Sequence, residues 1–89
     1  MTQRTLKIVN EKGLHARASA KLVEVVEGFD AQAEVTRDGL TASGDSIMGL
    51  LMLAASKGTT IDVETSGPDA EALADALESL IADKFGEDY

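Results

Sequence analysis

Gly13-Leu14-His15-Ala16-Arg17 is the stretch where an extended segment gives way to a helix, and it holds the only histidine of the chain. On its N-terminal side Arg4-Thr5-Leu6-Lys7-Ile8-Val9 alternates, with Leu6 and Ile8 on one face and Thr5 and Lys7 on the other. That is the pattern of a half-buried strand. Asn10 to Gly13 is a turn cluster. On the C-terminal side Ala16 to Glu27 places Ser19, Leu22, Val23 and Val26 at helical spacing, with Gly28 as the stop. His15 therefore falls at or just before the first helical turn.

That position carries chemistry. Imidazole is the side chain that titrates nearest neutral pH, and its neutral form is a competent nucleophile. The first backbone N–H groups of a helix lack intrahelical partners and attract an anion. A phosphoryl group on His15 meets those donors and the permanently charged fork of Arg17. The stretch reads as a site that holds phosphate covalently and gives it up again. Against this stands the commoner role of a lone histidine beside a helix start, as a cap or a surface residue. Metal binding is excluded, because zinc takes three or four Cys, His or carboxylate ligands and the chain has no Cys and one His. A Ser-His-Asp hydrolase finds no Gly-x-Ser-x-Gly elbow here.

Further along, Ala33 to Arg37 and Leu40 to Ala42 flank Asp38-Gly39, a strong hairpin signal. Thr59 to Thr65 alternates again, with Ile61 and Val63 inward. Gly67-Pro68-Asp69 opens a last helix, Pro suiting its first position. Its buried stripe is Ala70, Leu73, Ala74, Leu77, Leu80 and Ile81, and Gly86 closes it. The tail Glu87-Asp88-Tyr89 reads as loose. The order is β-α-β-β-α-β-α, an α+β chain whose sheet has one wet face and one face packed under helices.

Eighty-nine residues make a single small domain over 1–89. With 44% hydrophobic residues, no Trp, two Phe and one Tyr, its core must be aliphatic. A net charge of −8 argues against nucleic acid as a partner. Arg4, Lys7, Lys12 and Arg17 gather near the start, whereas the stretch from Asp62 onward is crowded with acid and holds one Lys. Negative ligands therefore belong at the start of the chain. Met1-Thr2-Gln3-Arg4 lacks the layout of a secretory signal, and the longest apolar stretch, Ile47 to Ala55, falls short of the ~20 residues that cross a bilayer. These readings predict a cytoplasmic protein without membrane insertion.

Ser46 precedes Ile47-Met48-Gly49-Leu50-Leu51-Met52-Leu53 and suits a helix N-cap. The apolar residues after it run nearly all the way round a helix. A short helix on one sheet face cannot bury every side, so a docking patch with flexible Met side chains is expected. Deep burial under other elements is the competing explanation.

Taken together, these residues resemble the HPr family, the histidine-containing phosphocarriers of the bacterial phosphoenolpyruvate-dependent phosphotransferase system. The resemblance spans the whole chain: Gly13-Leu14-His15-Ala16-Arg17, Ser46 ahead of an apolar helix, and Lys57-Gly58 before the last strand. It implies an open-faced β-sandwich, four antiparallel strands covered on one face by three helices. It implies that His15 takes a phosphoryl group on Nδ1 from enzyme I and passes it to an EIIA-type protein, with Arg17 stabilising the phosphate. The docking surface it implies comprises Ala16, Arg17, Ala20, Lys21, Glu24, Ile47, Met48, Gly49, Leu51 and Met52. Ser46 corresponds to the site of an HPr kinase/phosphorylase in many members. A phosphate there suits the helix N-terminus yet puts about −1.5 to −2 charges in the docking face. No cofactor is implied, and nothing calls for more than a monomer.

Three departures shape the expectation. Ala18 stands where the family usually has Pro, and Ala, the best helix former, keeps the turn. Glu24, Glu27 and Gly49 stand where members serving sugar uptake often carry basic residues. Segments such as Gly28-Phe29-Asp30-Ala31 and Leu50-Leu51-Met52-Leu53 look more like the nitrogen-type branch. The expected function is a regulatory phosphoryl relay with no catalytic turnover of its own. The alternatives are a sugar-uptake carrier, or a binding module of the same fold that never loads His15.

Overall fold

Strand β4 (Thr60–Ser66) sits inside the sheet, antiparallel to β1 (Thr2–Lys7) on one side and β2 (Gln32–Arg37) on the other. Strand β3 (Leu40–Ser43) pairs with β2, so the order across the sheet is β1-β4-β2-β3. The computed structural model describes residues 1–88. Helix α1 (Ala16–Glu27), α2 (Ile47–Met52) and α3 (Ala70–Ala82) cover one face, followed by a 3₁₀ turn at Lys84–Gly86. This is the expected open-faced α+β sandwich.

Alternation decides which face is which. Leu6 stands opposite Ile61, and Val35 opposite both Val63 and Ala42, so one face is aliphatic across all four strands. Leu22, Val26, Leu50, Leu53, Leu73, Leu77 and Ile81 come down on it from the helical side and are buried. Each such burial contributes roughly 1.5–3 kcal/mol. The other face is a polar ladder: Thr5 donates to Asp62 at 2.7 Å, and the hydroxyls of Thr36 and Thr41 are bonded at 2.9 Å. The hairpin between β2 and β3 turns through Asp38 and Gly39, both at positive φ (50° and 82°), as their dipeptide predicts.

Several boundaries differ from expectation, each for a local reason. Strand β1 begins two residues earlier, at Thr2, because β4 offers a partner as far as Thr65. Helix α2 ends at Met52, short of Ala55, and Ala54 follows at φ 51°. Pro68 lies outside α3, whose N-cap is Asp69. That side chain does not cap its own helix; it accepts from the Asp30 backbone N–H at 2.9 Å and pins the loop after α1. Gly28 does end α1, but in right-handed conformation (φ −80°). Gly86 does not close α3, which stops at Ala82. Arg4 is not free for an anion either: it donates to Asp75 at 2.8 Å and Glu78 at 2.6 Å, and those hydrogen bonds raise its pKa.

Candidate functional site

His15 is the N-cap residue of α1, with extended backbone (φ −82°, ψ −176°), and its side chain does not cap. Its carbonyl accepts from Ser19 at 2.8 Å and starts the helix. The ring is thereby left at a helix N-terminus, beside backbone N–H groups that lack intrahelical acceptors. Two contacts fix the loop that carries it. The Leu14 amide donates to the Ala55 carbonyl at 2.8 Å, and Gly13 passes the same carbonyl at φ 64°. A Cβ at Gly13 would stand 2.4 Å from that oxygen, so the close approach requires glycine.

The largest departure from expectation is at the tail. Glu87 is not loose. Its Oε2 is hydrogen-bonded to His15 Nε2, and its Oε1 accepts from the fully buried Asn10 Nδ2 at 2.9 Å. Asn10 also donates to the Gly13 carbonyl at 2.8 Å, joining the loop to the tail. Lys84, Phe85 and Gly86 take φ values of 57°, 56° and 77°, a left-handed turn that swings Glu87 back over α1. Phe85 anchors the turn by complete burial, and Lys21 Nζ donates to the Phe85 carbonyl at 2.7 Å. Tyr89 lies outside the described residues.

Burial alone would push the Glu87 carboxyl up. Hydrogen bonds from Asn10 and His15, and the charges of His15 and Lys12, outweigh it and hold the carboxyl below the ordinary glutamate value. Beside the pair opens a cleft of about 200 Å³ lined by Lys12, Arg17, Lys21, Gly86, Glu87 and Asp88. Among the described residues Arg17 forms no ion pair, whereas Lys21 is committed to the Phe85 carbonyl. Arg17 and Lys12 therefore supply the uncommitted positive charge of the cleft, apart from the Coulombic attraction of Lys12 for Glu87.

The second segment behaves as a cap and a surface at once. Ser46 accepts from the Gly49 amide at 3.0 Å. Leu50 and Leu53 are buried, while Ile47, Met48 and Met52 are 39%, 71% and 75% exposed. Leu51 is half-buried, and Ala16, Ala20 and Glu24 are exposed on α1. Gly49 is half-buried, and a Cβ there would approach Ser46 Oγ to 3.1 Å and Ala42 Cβ to 3.2 Å. Helices α1 and α2 pack together, and the Leu14–Ala55 hydrogen bond joins the loop before α1 to the segment after α2.

Residues 2–83 match the family model described as the phosphorylation site of the HPr component of the phosphotransferase system. The chain belongs to the HPr family. The phosphocarrier protein HPr of Cupriavidus necator is 49% identical over 87 residues, covering 98% of both chains. The phosphocarrier protein NPr of Escherichia coli K12 is 40% identical, covering 97% of both. In structure, HPr of Thermoanaerobacter tengcongensis superposes with a TM-score of 0.94 over the full length of both chains at 37% identity. The order β-α-β-β-α-β-α and the open sheet are thus the HPr fold, and the chain is an HPr-type phosphocarrier rather than a catalyst. Sequence reasoning singles out His15, Arg17 and Ser46 as candidates and passes over Asn10 and Glu87, which the structure joins to the His15 ring. The available signal was Phe85, one of only two Phe, set in an otherwise acidic end.

Proposed function

We propose that His15 accepts a phosphoryl group at Nδ1 from phosphorylated enzyme I and hands it to an EIIA-type acceptor. The observation that carries this reading is a histidine ring at the N-terminus of a twelve-residue helix, beside a cleft lined by Arg17. With Nε2 engaged by Glu87, Nδ1 is the ring nitrogen left to react. Its lone pair attacks phosphorus on enzyme I. The N–P bond forms as the bond from phosphorus to the donor group breaks, and that electron pair leaves with the donor. In onward transfer the acceptor's nucleophile attacks phosphorus, and the electron pair of the P–Nδ1 bond returns to the ring. Arg17 and the helix N–H groups offset the charge of the phosphoryl group in flight.

Enzyme I and the acceptor dock, in this reading, on Ala16, Ala20, Lys21 and Glu24 of α1 together with Ile47, Met48, Gly49, Leu51 and Met52. Exposed methionines on a short helix support it. Phosphorylation of Ser46 by an HPr kinase/phosphorylase would add charge within that surface and weaken docking.

The proposed setting is a nitrogen-type regulatory branch in the cytoplasm, with the chain acting as one monomeric domain. Relatives of both names are similar, so identity does not carry the choice of branch. The exposed acids Glu24 and Glu27 carry it, because they repel the acidic partner surfaces that match the basic residues sugar-uptake carriers often have at these positions. No helix of the described residues is long and apolar enough to cross a membrane. The test is to load the protein with enzyme I and phosphoenolpyruvate, then offer it nitrogen-type and sugar-type EIIA proteins. Faster transfer to the nitrogen type supports the branch, and the reverse preference overturns it.

A further inference from the structure

Glu87 is placed between two hydrogen-bond donors. Asn10 Nδ2 donates to its Oε1, and the same Nδ2 is held in that orientation by the Gly13 carbonyl at 2.8 Å. His15 Nε2 meets its Oε2. An ionised carboxylate is acceptor-only, so Nε2 must carry the proton that faces it. A neutral imidazole has one N–H and one lone pair, and the lone pair is then on Nδ1. The carboxylate is delivered by a turn of three consecutive residues at positive φ, two of them not glycine, and the buried Phe85 ring holds that turn. Non-glycine residues in this region cost about 1–3 kcal/mol each and persist where the surroundings impose them.

We propose that Glu87, oriented by Asn10, is a positioning residue for phosphoryl transfer: it holds the proton on His15 Nε2, so that Nδ1 is the nucleophile. The inference rests on the relay reading above and deepens it. The chemistry favours such a carboxylate in both directions. Attack by Nδ1 while Nε2 keeps its proton leaves a positive charge on the ring, which the adjacent carboxylate offsets. On onward transfer the ring departs as neutral imidazole rather than as an imidazolate anion, a far better leaving group. The same logic orients catalytic and metal-bound histidines through a carboxylate on the second nitrogen.

A glutamine cannot replace Glu87 here. Its oxygen satisfies one donor, but its NH₂ then faces the other. Asn10 cannot simply flip to accept it, because its Nδ2 is committed to Gly13.

The test is made on the full chain, comparing wild type with Glu87→Gln and Glu87→Ala. Ring ¹⁵N chemical shifts of His15, recorded where the imidazole is neutral, give the tautomer without any partner protein. Stopped-time transfer from enzyme I, and back to it, gives rates in both directions. The expected result is an Nε2–H tautomer in wild type that shifts toward a mixture in both variants. Loading and return should slow by about tenfold or more, with unfolding midpoints showing that both variants fold. Unchanged tautomer populations overturn the proposal, and so do unchanged rates in folded variants. A wild type that takes no phosphate from enzyme I overturns the relay reading instead, and the tautomer measurement keeps the two failures apart.

Discussion

The amide of Leu14 donates to the carbonyl of Ala55 across 2.8 Å, tying the loop that carries His15 to the segment that follows α2. The His15 ring and the apolar helix surface are thus parts of one connected structure. Gly13 makes the approach possible, since the positions a Cβ would need are filled by Ala55 and Ser56 backbone.

Gly13→Ala should therefore be costly on two counts, a positive φ and a backbone overlap. The expected destabilisation is about 1–3 kcal/mol or more, read from the denaturant midpoint. Slower phosphate loading should accompany it, because the loop must move away from Ala55. A midpoint equal to wild type would mean that the loop has freedom the packing denies it.

Ser46→Ala removes the acceptor for the Gly49 amide and should cost about 1 kcal/mol of stability. Ser46→Asp keeps an acceptor at the N-cap, so stability should stay near wild type while affinity for enzyme I falls. Calorimetric titration alongside thermal unfolding separates the two. Unchanged affinity of Ser46→Asp would leave Ser46 as a cap alone.

Arg17→Ala should slow transfer both into and out of the protein while leaving the unfolding midpoint within about 0.5 kcal/mol of wild type. The reason is that Arg17 is exposed and, among the described residues, has no ion-pair partner to lose. Equal transfer rates in the two proteins would contradict its assigned role.

Glu87 also gives a pH dependence with a definite sign. Its folded-state carboxyl lies below the ordinary value of 4.5, so the unfolded chain binds the proton more readily. The tail contact therefore adds stability above about pH 4.5, and this is lost as pH falls through the lower, folded value. Wild type should lose stability faster than Glu87→Gln on acidification in that window. Parallel curves for the two proteins would show that the carboxylate is not held by His15 and Asn10.

Much of the fold was legible because single residues carried strong local signals. Leu6 and Ile8 against Thr5 and Lys7 announced β1, and Asp38-Gly39 announced the hairpin. The spacing of Leu22, Val23 and Val26 announced α1. The start of α3 was misread because the carboxylate of Asp69 serves Asp30, a residue far away in the chain. Glu87 was misread for a similar reason: its partner His15 lies 72 positions away. The turn that brings them together uses Lys84 and Phe85 at positive φ, where only Gly86 offers a local hint. Contacts of this kind follow from packing of Phe85 into the core, which periodicity alone does not reveal.

The central claim is that His15 carries phosphate on Nδ1. The most direct measurement is to mix wild type and His15→Ala separately with enzyme I and phosphoenolpyruvate, then follow intact mass and phosphorus NMR. One acid-labile phosphate on wild type alone, with the signature of an Nδ1 phosphohistidine, is the expected result. No phosphate on wild type, or an equal load on His15→Ala, would contradict it.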